Sequence, residues 1–323
     1  MFTKSELQDA HALVQCFMPP TPAHEWPLLS QALDTTTIVK HENHAPTGAF
    51  KVRGGITFID WLKRTHPEME GVVTATRGNH GQSQARAAIA AGLRAKILVP
   101  HGNSVDKNAA MRAFGAELIE HGHDFDEAKD EAMRLARSEP LFPVPPFHKE
   151  LVRGVATYGL ELFTAHPDLD VVYVPIGCGS GLCGTIAARD ALGLDCEIVG
   201  VVSENAAGAK LSVEAGKLIE TNSAATFADG MAVRVPVQQA YDIYATKASY
   251  VGAVSDDEIA GAVRLFYTAT HNLAEGAGAA ALALAVQEKA RLKGRKVGLV
   301  LSGGNIDRPL YQTILDGRTP APE

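Results

Sequence analysis

Apolar positions along this chain fall into short continuous runs separated by longer alanine-rich stretches. The runs TTTIVK (35–40), GVVTA (71–75), AKILVP (95–100), VVYVP (171–175), EIVGVVS (197–203), SYVGAV (249–254) and VGLVL (297–301) are rich in β-branched residues and predict strands. Several are apolar at consecutive positions, the pattern of a parallel sheet covered on both faces. Between them, SQARAAIAAG (83–92), DEAKDEAMRLARSE (126–139) and GAGAAALALAVQEKARLKG (276–294) predict helices. Ser255-Asp256-Asp257-Glu258 reads as a capping box, followed by Ile259, Val263, Phe266 and Thr270 on one helical face. Strand–helix alternation throughout predicts an α/β protein built of doubly wound αβα layers with open, mostly parallel sheets.

Length adds a division. At roughly 150 residues per domain, 323 residues suggest two domains. The strongest boundary signal is SEPLFPVPPFH (138–148), where four prolines among eleven residues forbid a continuing helix. Only 19 residues follow the glycine turn at 303–304, so no appended regulatory domain is expected. Hydrophobic residues at 46% and charged residues at 21% fit a folded globular chain and exclude disorder. The 30 basic and 37 acidic residues sum to −7, which argues against a nucleic-acid partner because no basic footprint is present. The N-terminus MFTKSELQDAHALVQ lacks a secretory layout. No apolar run approaches the roughly 18 residues of a membrane span. Cys16, Cys178, Cys183 and Cys196 form no paired spacing, so a reduced, cytoplasmic compartment is expected.

Four glycine-containing segments sit where a predicted strand or loop feeds a helix, the place where open parallel sheets bind ligands. In HENHAPTGAFKVRGG (41–55), Lys51 is either a solvated helix-start lysine or a partly desolvated amine able to form a Schiff base. In TATRGNHGQSQARAA (74–88), Asn79 either caps a helix or, with Thr76 and free backbone amides, holds a carboxylate. VPIGCGSGLCGT (174–185) is a tight turn or an anion cradle built from backbone amides. Its spacing departs from GxGxxG, although Glu204 at the end of the next strand keeps a nicotinamide reading open. LVLSGGNID (299–307) alone says only "turn". The pairs His41/His44 and His121/His123 do not continue into a zinc spacing and read as solvated histidines. Cys178 and Cys183 read as small packing residues.

Taken in order, TGAFKVRGG, RGNHGQ, GCGSGLCG and SGGN resemble the pyridoxal-phosphate enzymes of the threonine/serine dehydratase and serine racemase family, a fold-type II, tryptophan-synthase-β-like group. ADGMAV (228–233) and EGAGAAAL (275–282) match further stretches of that family, and the resemblance runs from position 21 to 307. It implies that Lys51 carries pyridoxal 5'-phosphate as a Schiff base and acts as base on the substrate α-carbon. Phe50 would pack beside the ring, and Asn79 would touch its hydroxyl. Gly177, Cys178, Gly179, Ser180 and Gly181 would cradle the phosphate. Ser302 would face the pyridine nitrogen, and Glu275 matches an acidic position near the ring. Thr76, Arg77, Gly78, Asn79 and His80 would form the substrate loop. A large domain of 1–67 plus 149–323 and a small mobile domain of 68–148 are implied, as is a homodimer.

Two departures shape the expected activity. Serine racemases resembling this chain carry serine before the glycine of the asparagine loop, where this chain has Arg77, a very poor base. Metal-binding members carry acidic residues where Val202 and Gly208 stand, so no structural metal is expected. The resemblance therefore implies β-elimination of a β-hydroxy amino acid such as threonine or serine. 3-Hydroxyaspartate, phenylserine and racemisation are the alternatives within the family.

Overall fold

The structure, a computed structural model, describes residues 1–322. Its strands are β1 (Ala23–Glu25), β2 (Thr37–His41), β3 (Gly71–Ala75), β4 (Arg94–Val99), β5 (Glu117–Glu120), β6 (Leu141–Pro143), β7 (Val171–Pro175), β8 (Glu197–Ser203), β9 (Tyr250–Val254) and β10 (Val297–Leu301). Helices in its first half are α1 (Lys4–Gln15), α2 (Pro27–Leu33), α3 (Lys51–Thr65), α4 (Asn79–Ala90), α5 (Val105–Ala113), α6 (Phe125–Ser138) and α7 (Lys149–Ala165). The second half adds α8 (Ser180–Leu192), α9 (Gly208–Ala215), α10 (Gln238–Lys247), α11 (Asp256–Thr270), α12 (Gly276–Gln287), α13 (Lys289–Leu292) and α14 (Arg308–Leu315).

Two open sheets result. One has six strands in the order β1-β2-β10-β7-β8-β9, and the other has four in the order β5-β4-β3-β6. All pairings are parallel except β1 with β2. Both faces of the larger sheet are buried, as the consecutive apolar runs require. Val171 and Tyr173 of β7 pack with Phe266 of α11 and Leu282 of α12. Val172 and Val174 pack on the opposite face with Phe163 of α7 and Leu182 of α8. The smaller sheet lies between two clusters, one from α3 and α4 (Phe58, Leu62, Ala85, Ala88) and one from α6 (Ala128, Ala132, Leu135).

Every predicted strand forms, and three further strands join them. The predicted helix 276–294 breaks at Glu288, whose carboxylate accepts hydrogen bonds from the hydroxyls of Tyr173 (2.6 Å) and Tyr250. The Ser255–Glu258 capping box is present and starts α11. The four cysteines are free. Among the described residues, no helix is long and apolar enough to cross a membrane.

One histidine reading is corrected. His41 is buried rather than solvated: Trp26 Nε1–H donates to its Nε2 at 2.8 Å, and its Nδ1 lies 3.2 Å from Asn43 Oδ1. Burial, reinforced by the charge of neighbouring His44, lowers its pKa to about 4, so the ring is a neutral part of the packing. His44, His121 and His123 are exposed.

Candidate active site

The site lies where the carboxyl ends of β2, β3, β7 and β10 face one another between the sheets. Lys51 is the first residue of α3, directly after Phe50. Phe50 N–H donates to the Ser302 carbonyl at 3.0 Å, and Ala49 bridges Gly303, so the turn after β10 lies against the start of α3. The Lys51 carbonyl accepts the Ser83 hydroxyl of α4 at 2.7 Å, fixing this turn from the other side. The Lys51 ammonium stands 4.7 Å from the centre of the Phe50 ring and has no hydrogen-bond partner among the described residues. Burial lowers its pKa, with Cys178 and Glu275 pulling the other way. A lysine so placed is present as the free amine more often at neutral pH than a solvated one.

The loop after β3 behaves differently from a simple helix cap. Gly78, not Asn79, occupies the cap position of α4, and no side chain caps that helix. Asn79 instead donates from Nδ2 to Glu275 Oε1 at 2.7 Å and accepts from Asn305 Nδ2 at 2.8 Å. Asn305 also donates to the Thr47 carbonyl at 2.8 Å, so the Asn79 amide is oriented from two sides. Thr76 Oγ accepts the Gly78 N–H at 3.0 Å, which occupies that amide and leaves the threonine hydroxyl hydrogen available. Arg77 is exposed and makes no hydrogen bond or ion pair among the described residues. His80 Nε2 is buried without a partner. Burial and the Lys51 charge lower the pKa of His80 to about 3, which keeps it neutral.

The glycine loop follows β7 and opens α8, whose first turn also lacks a side-chain cap. Gly179 takes φ +95°, a conformation that favours glycine, and a Cβ at Gly177 would stand 2.3 Å from the Gly230 carbonyl. Cys178, Ser180 and Gly181 complete the loop. Burial raises the Cys178 thiol, so it is not poised as a nucleophile. Ser302, 4% exposed, has a hydroxyl with no partner among the described residues.

Glu275 closes the ring of residues just before α12. It is 3% exposed, and its Oε2 has no hydrogen-bond partner. Burial, with Asp229 adding to it, raises its pKa to about 7, while Lys107, Asn79 and Lys51 oppose the shift. In the protein without cofactor, stability is expected to fall as pH rises from 4.5 to about 7. Over that window the folded state holds a proton that the unfolded state has lost. Glu275→Gln is expected to flatten this slope in urea-unfolding midpoints measured across the range.

The structure thus brings Phe50, Lys51, Thr76, Asn79, His80, the glycine loop, Glu275 and Ser302 to one cleft, with Arg77 at its exposed margin. Lys107, Asp229, Ser83 and Asn305 join them without having been singled out by sequence. Of these, Asn305 and Asp229 lie inside stretches, SGGN and ADGMAV, that the sequence marks as motifs without marking these two residues. A separate depression of about 600 Å³ lies at the β9 edge, lined by Glu204, Lys210, Tyr250 and Glu288 among others, and includes none of the site residues.

Buried unpaired atoms on His80 and Glu275 and the unpartnered amine of Lys51 and hydroxyl of Ser302, beside an uncapped glycine-rich helix start, are what a polar ligand satisfies. An amine, a glycine-rich helix start and an unpartnered serine hydroxyl in one cleft fit the class of enzymes that bind a phosphorylated aldehyde. The chain belongs to the pyridoxal-phosphate dependent enzyme family, whose sequence profile matches residues 16–303. It is 32% identical to an L-threonine ammonia-lyase of Thermotoga maritima over 98% of this chain and 79% of that one. It is 28% identical to an L-threo-3-hydroxyaspartate ammonia-lyase of Saccharomyces cerevisiae over 99% of this chain and 98% of that one. Maize serine racemase superposes with TM-score 0.90 at 26% identity, over 98% of this chain and 97% of that one. Membership in this family sets aside the nicotinamide reading of Gly177–Gly181 and Glu204.

Proposed function

We propose that this protein eliminates the β-hydroxyl of a small β-hydroxy amino acid, such as L-threonine or L-serine, and releases a 2-oxo acid and ammonia. The observation that supports this reading is the amine of Lys51, set against the Phe50 ring without a hydrogen-bond partner, in the same cleft as the unpartnered hydroxyl of Ser302. Pyridoxal phosphate, when bound, supplies the electron sink. The backbone amides of Gly177–Gly181 at the start of α8 would hold its phosphate, and Phe50 would pack beside its ring. Asn79, fixed by Glu275 and Asn305, presents its amide to the ring hydroxyl.

Lys51 is the covalent anchor and, once freed by substrate, the base that takes the α-proton. Thr76 and the amides of the asparagine loop bind the substrate carboxylate. Ser302 would offer the cofactor ring a neutral hydroxyl rather than a carboxylate, which would favour loss of the β-hydroxyl over transamination. Water lost in the elimination is regained when the enamine product hydrolyses, so the net change is substrate to 2-oxo acid plus ammonia. The four-stranded unit (68–148) closes over bound substrate and excludes water. The chain works as a cytoplasmic homodimer without a structural metal.

Arg77 supports a second reading of the substrate. It is an unpaired guanidinium at the cleft margin, and a relative matching nearly the whole chain is named for 3-hydroxyaspartate. A β-carboxylate meeting Arg77 gains a charge-assisted, bidentate hydrogen bond. Incubation with L-threonine, L-serine, phenylserine and threo-3-hydroxyaspartate, scored for 2-oxo acid, ammonia and inversion at the α-carbon, tests both readings. Ammonia release without inversion is expected. Inversion with no ammonia would replace elimination by racemisation. Arg77→Ser is expected to lower kcat/KM for 3-hydroxyaspartate relative to threonine by about tenfold with cofactor content unchanged.

A further inference from the structure

The start of α5 belongs to the four-stranded unit, yet two of its side chains bond to carboxylates of the six-stranded unit. Lys107 forms an ion pair with Asp229, with side-chain exposures of 8% and 19%. Ser104 Oγ donates to Asp307 Oδ1 at 2.5 Å and also accepts the Lys107 N–H at 3.1 Å, capping the helix. Both acceptors lie on loops of the site. Asp229 precedes Gly230, whose carbonyl occupies the space beside Gly177. Asp307 follows the turn that carries Ser302 and Asn305.

The stem of Lys107 rests on the asparagine loop itself: a Cβ at Gly78 would stand 2.5 Å from Lys107 Cδ. One helical turn therefore touches the asparagine loop directly and reaches the glycine loop and the post-β10 turn through one carboxylate each. Lys107 and Asp229 also act electrostatically on Glu275, the residue that orients Asn79. Neither carboxylate contact is needed to build the four-stranded sheet, whose core is made by α3, α4, α6 and, through Met111, the body of α5.

We propose that the first turn of α5 is the clasp of the cleft, with Lys107 and Ser104 as positioning residues that hold the Arg77–His80 loop against the other two loops. The proposal deepens the elimination reading above and rests on it for the identity of the site. Removing one member of a mostly enclosed ion pair leaves the other charge uncompensated, so the clasp opens rather than loosening slightly. A misplacement of about 1 Å in a substrate-positioning loop costs on the order of 100-fold in rate.

The test uses holoenzyme of Lys107→Met, Ser104→Ala and the exchanged pair Lys107→Asp/Asp229→Lys. Hydrogen–deuterium exchange of peptides covering 105–113 is read beside KM and kcat on the best substrate of the panel. Lys107→Met is expected to speed exchange in 105–113 and raise KM by about tenfold, with the visible cofactor band retained. The exchanged pair is expected to restore slow exchange and most of the KM. Ser104→Ala, which removes one hydroxyl, is expected to move both readouts in the same direction by less. Exchange and KM within twofold of wild type in Lys107→Met would overturn the clasp, as would an exchanged pair no slower to exchange than the single variant. Should wild type release no ammonia from any substrate, the elimination reading fails, while the exchange comparison still decides the clasp.

Discussion

Lys51→Ala is expected to lower turnover by about 10⁴-fold and to leave the polypeptide without covalently trapped cofactor after hydride reduction, checked by mass spectrometry. Two separate losses combine in this variant on the proposed reading, in which the same amine is anchor and base. Burial is what makes it fit for the second role. The ammonium is enclosed against the Phe50 ring, its pKa is depressed, and no hydrogen bond stabilises its charged form. The fold is expected to survive. Lys51 occupies the first position of α3, where its side chain holds no cap, and the turn is fixed by Phe50 N–H to Ser302 and by Ser83 to the Lys51 carbonyl. Retained far-ultraviolet circular dichroism with lost turnover would therefore separate chemistry from folding.

That lysine was legible in the sequence only through company. A lone Lys51 after Phe50 reads equally well as a solvated helix start. Three glycine-containing turns in a fixed order, each after an apolar run, turn it into a site because a parallel sheet gathers the carboxyl ends of its strands. The central strands were legible for the same reason: buried on both faces, they carry uninterrupted apolar runs. β1, β5 and β6 are edges of their sheets and carry no such run. β6 even lies inside the proline-rich stretch that reads as a boundary, and Pro143 is tolerated there because an edge strand has one side free of ladder hydrogen bonds. Side-chain relays were less legible still. Asn79 looks like a helix cap until Glu275, 196 residues away, is seen to accept its amide. Lys107 and Asp229 sit 122 residues apart, and nothing local in either segment marks the pairing.

The same limit hides the charged cluster behind the lysine, where the largest effect on stability is expected. Arg53, two residues after Lys51, is fully buried and donates to Glu42 (2.7 and 3.0 Å), Glu161 (2.8 Å to each oxygen), Thr157 (3.0 Å) and Thr21 (3.1 Å). Lys40 adds bonds to Glu161 (2.5 Å) and to the Thr21 carbonyl (2.7 Å), so two cations face two anions with their hydrogen bonds largely satisfied. The cluster joins β2, α3 and α7, and thereby the floor of the larger sheet to the helix that bears Lys51. Arg53→Met is expected to destabilise the protein by about 3–5 kcal/mol, measured by urea unfolding, because two buried carboxylates lose their principal partner. Simultaneous replacement of Arg53, Lys40, Glu42 and Glu161 by apolar residues of similar volume is expected to cost less than the single change, since no uncompensated charge remains. Acid should dissolve the same support. Burial alone would raise the Glu161 carboxyl, but hydrogen bonds from His11 and Arg53 and the charges of Arg53 and Lys40 hold it well below the usual carboxylate range. Its contribution is therefore fully present at neutral pH and is lost as pH falls below the unfolded-state value of 4.5. Glu161→Gln is expected to be less stable at pH 7 and to lose that part of the acid sensitivity, a difference read directly from paired unfolding curves at pH 7 and about pH 4.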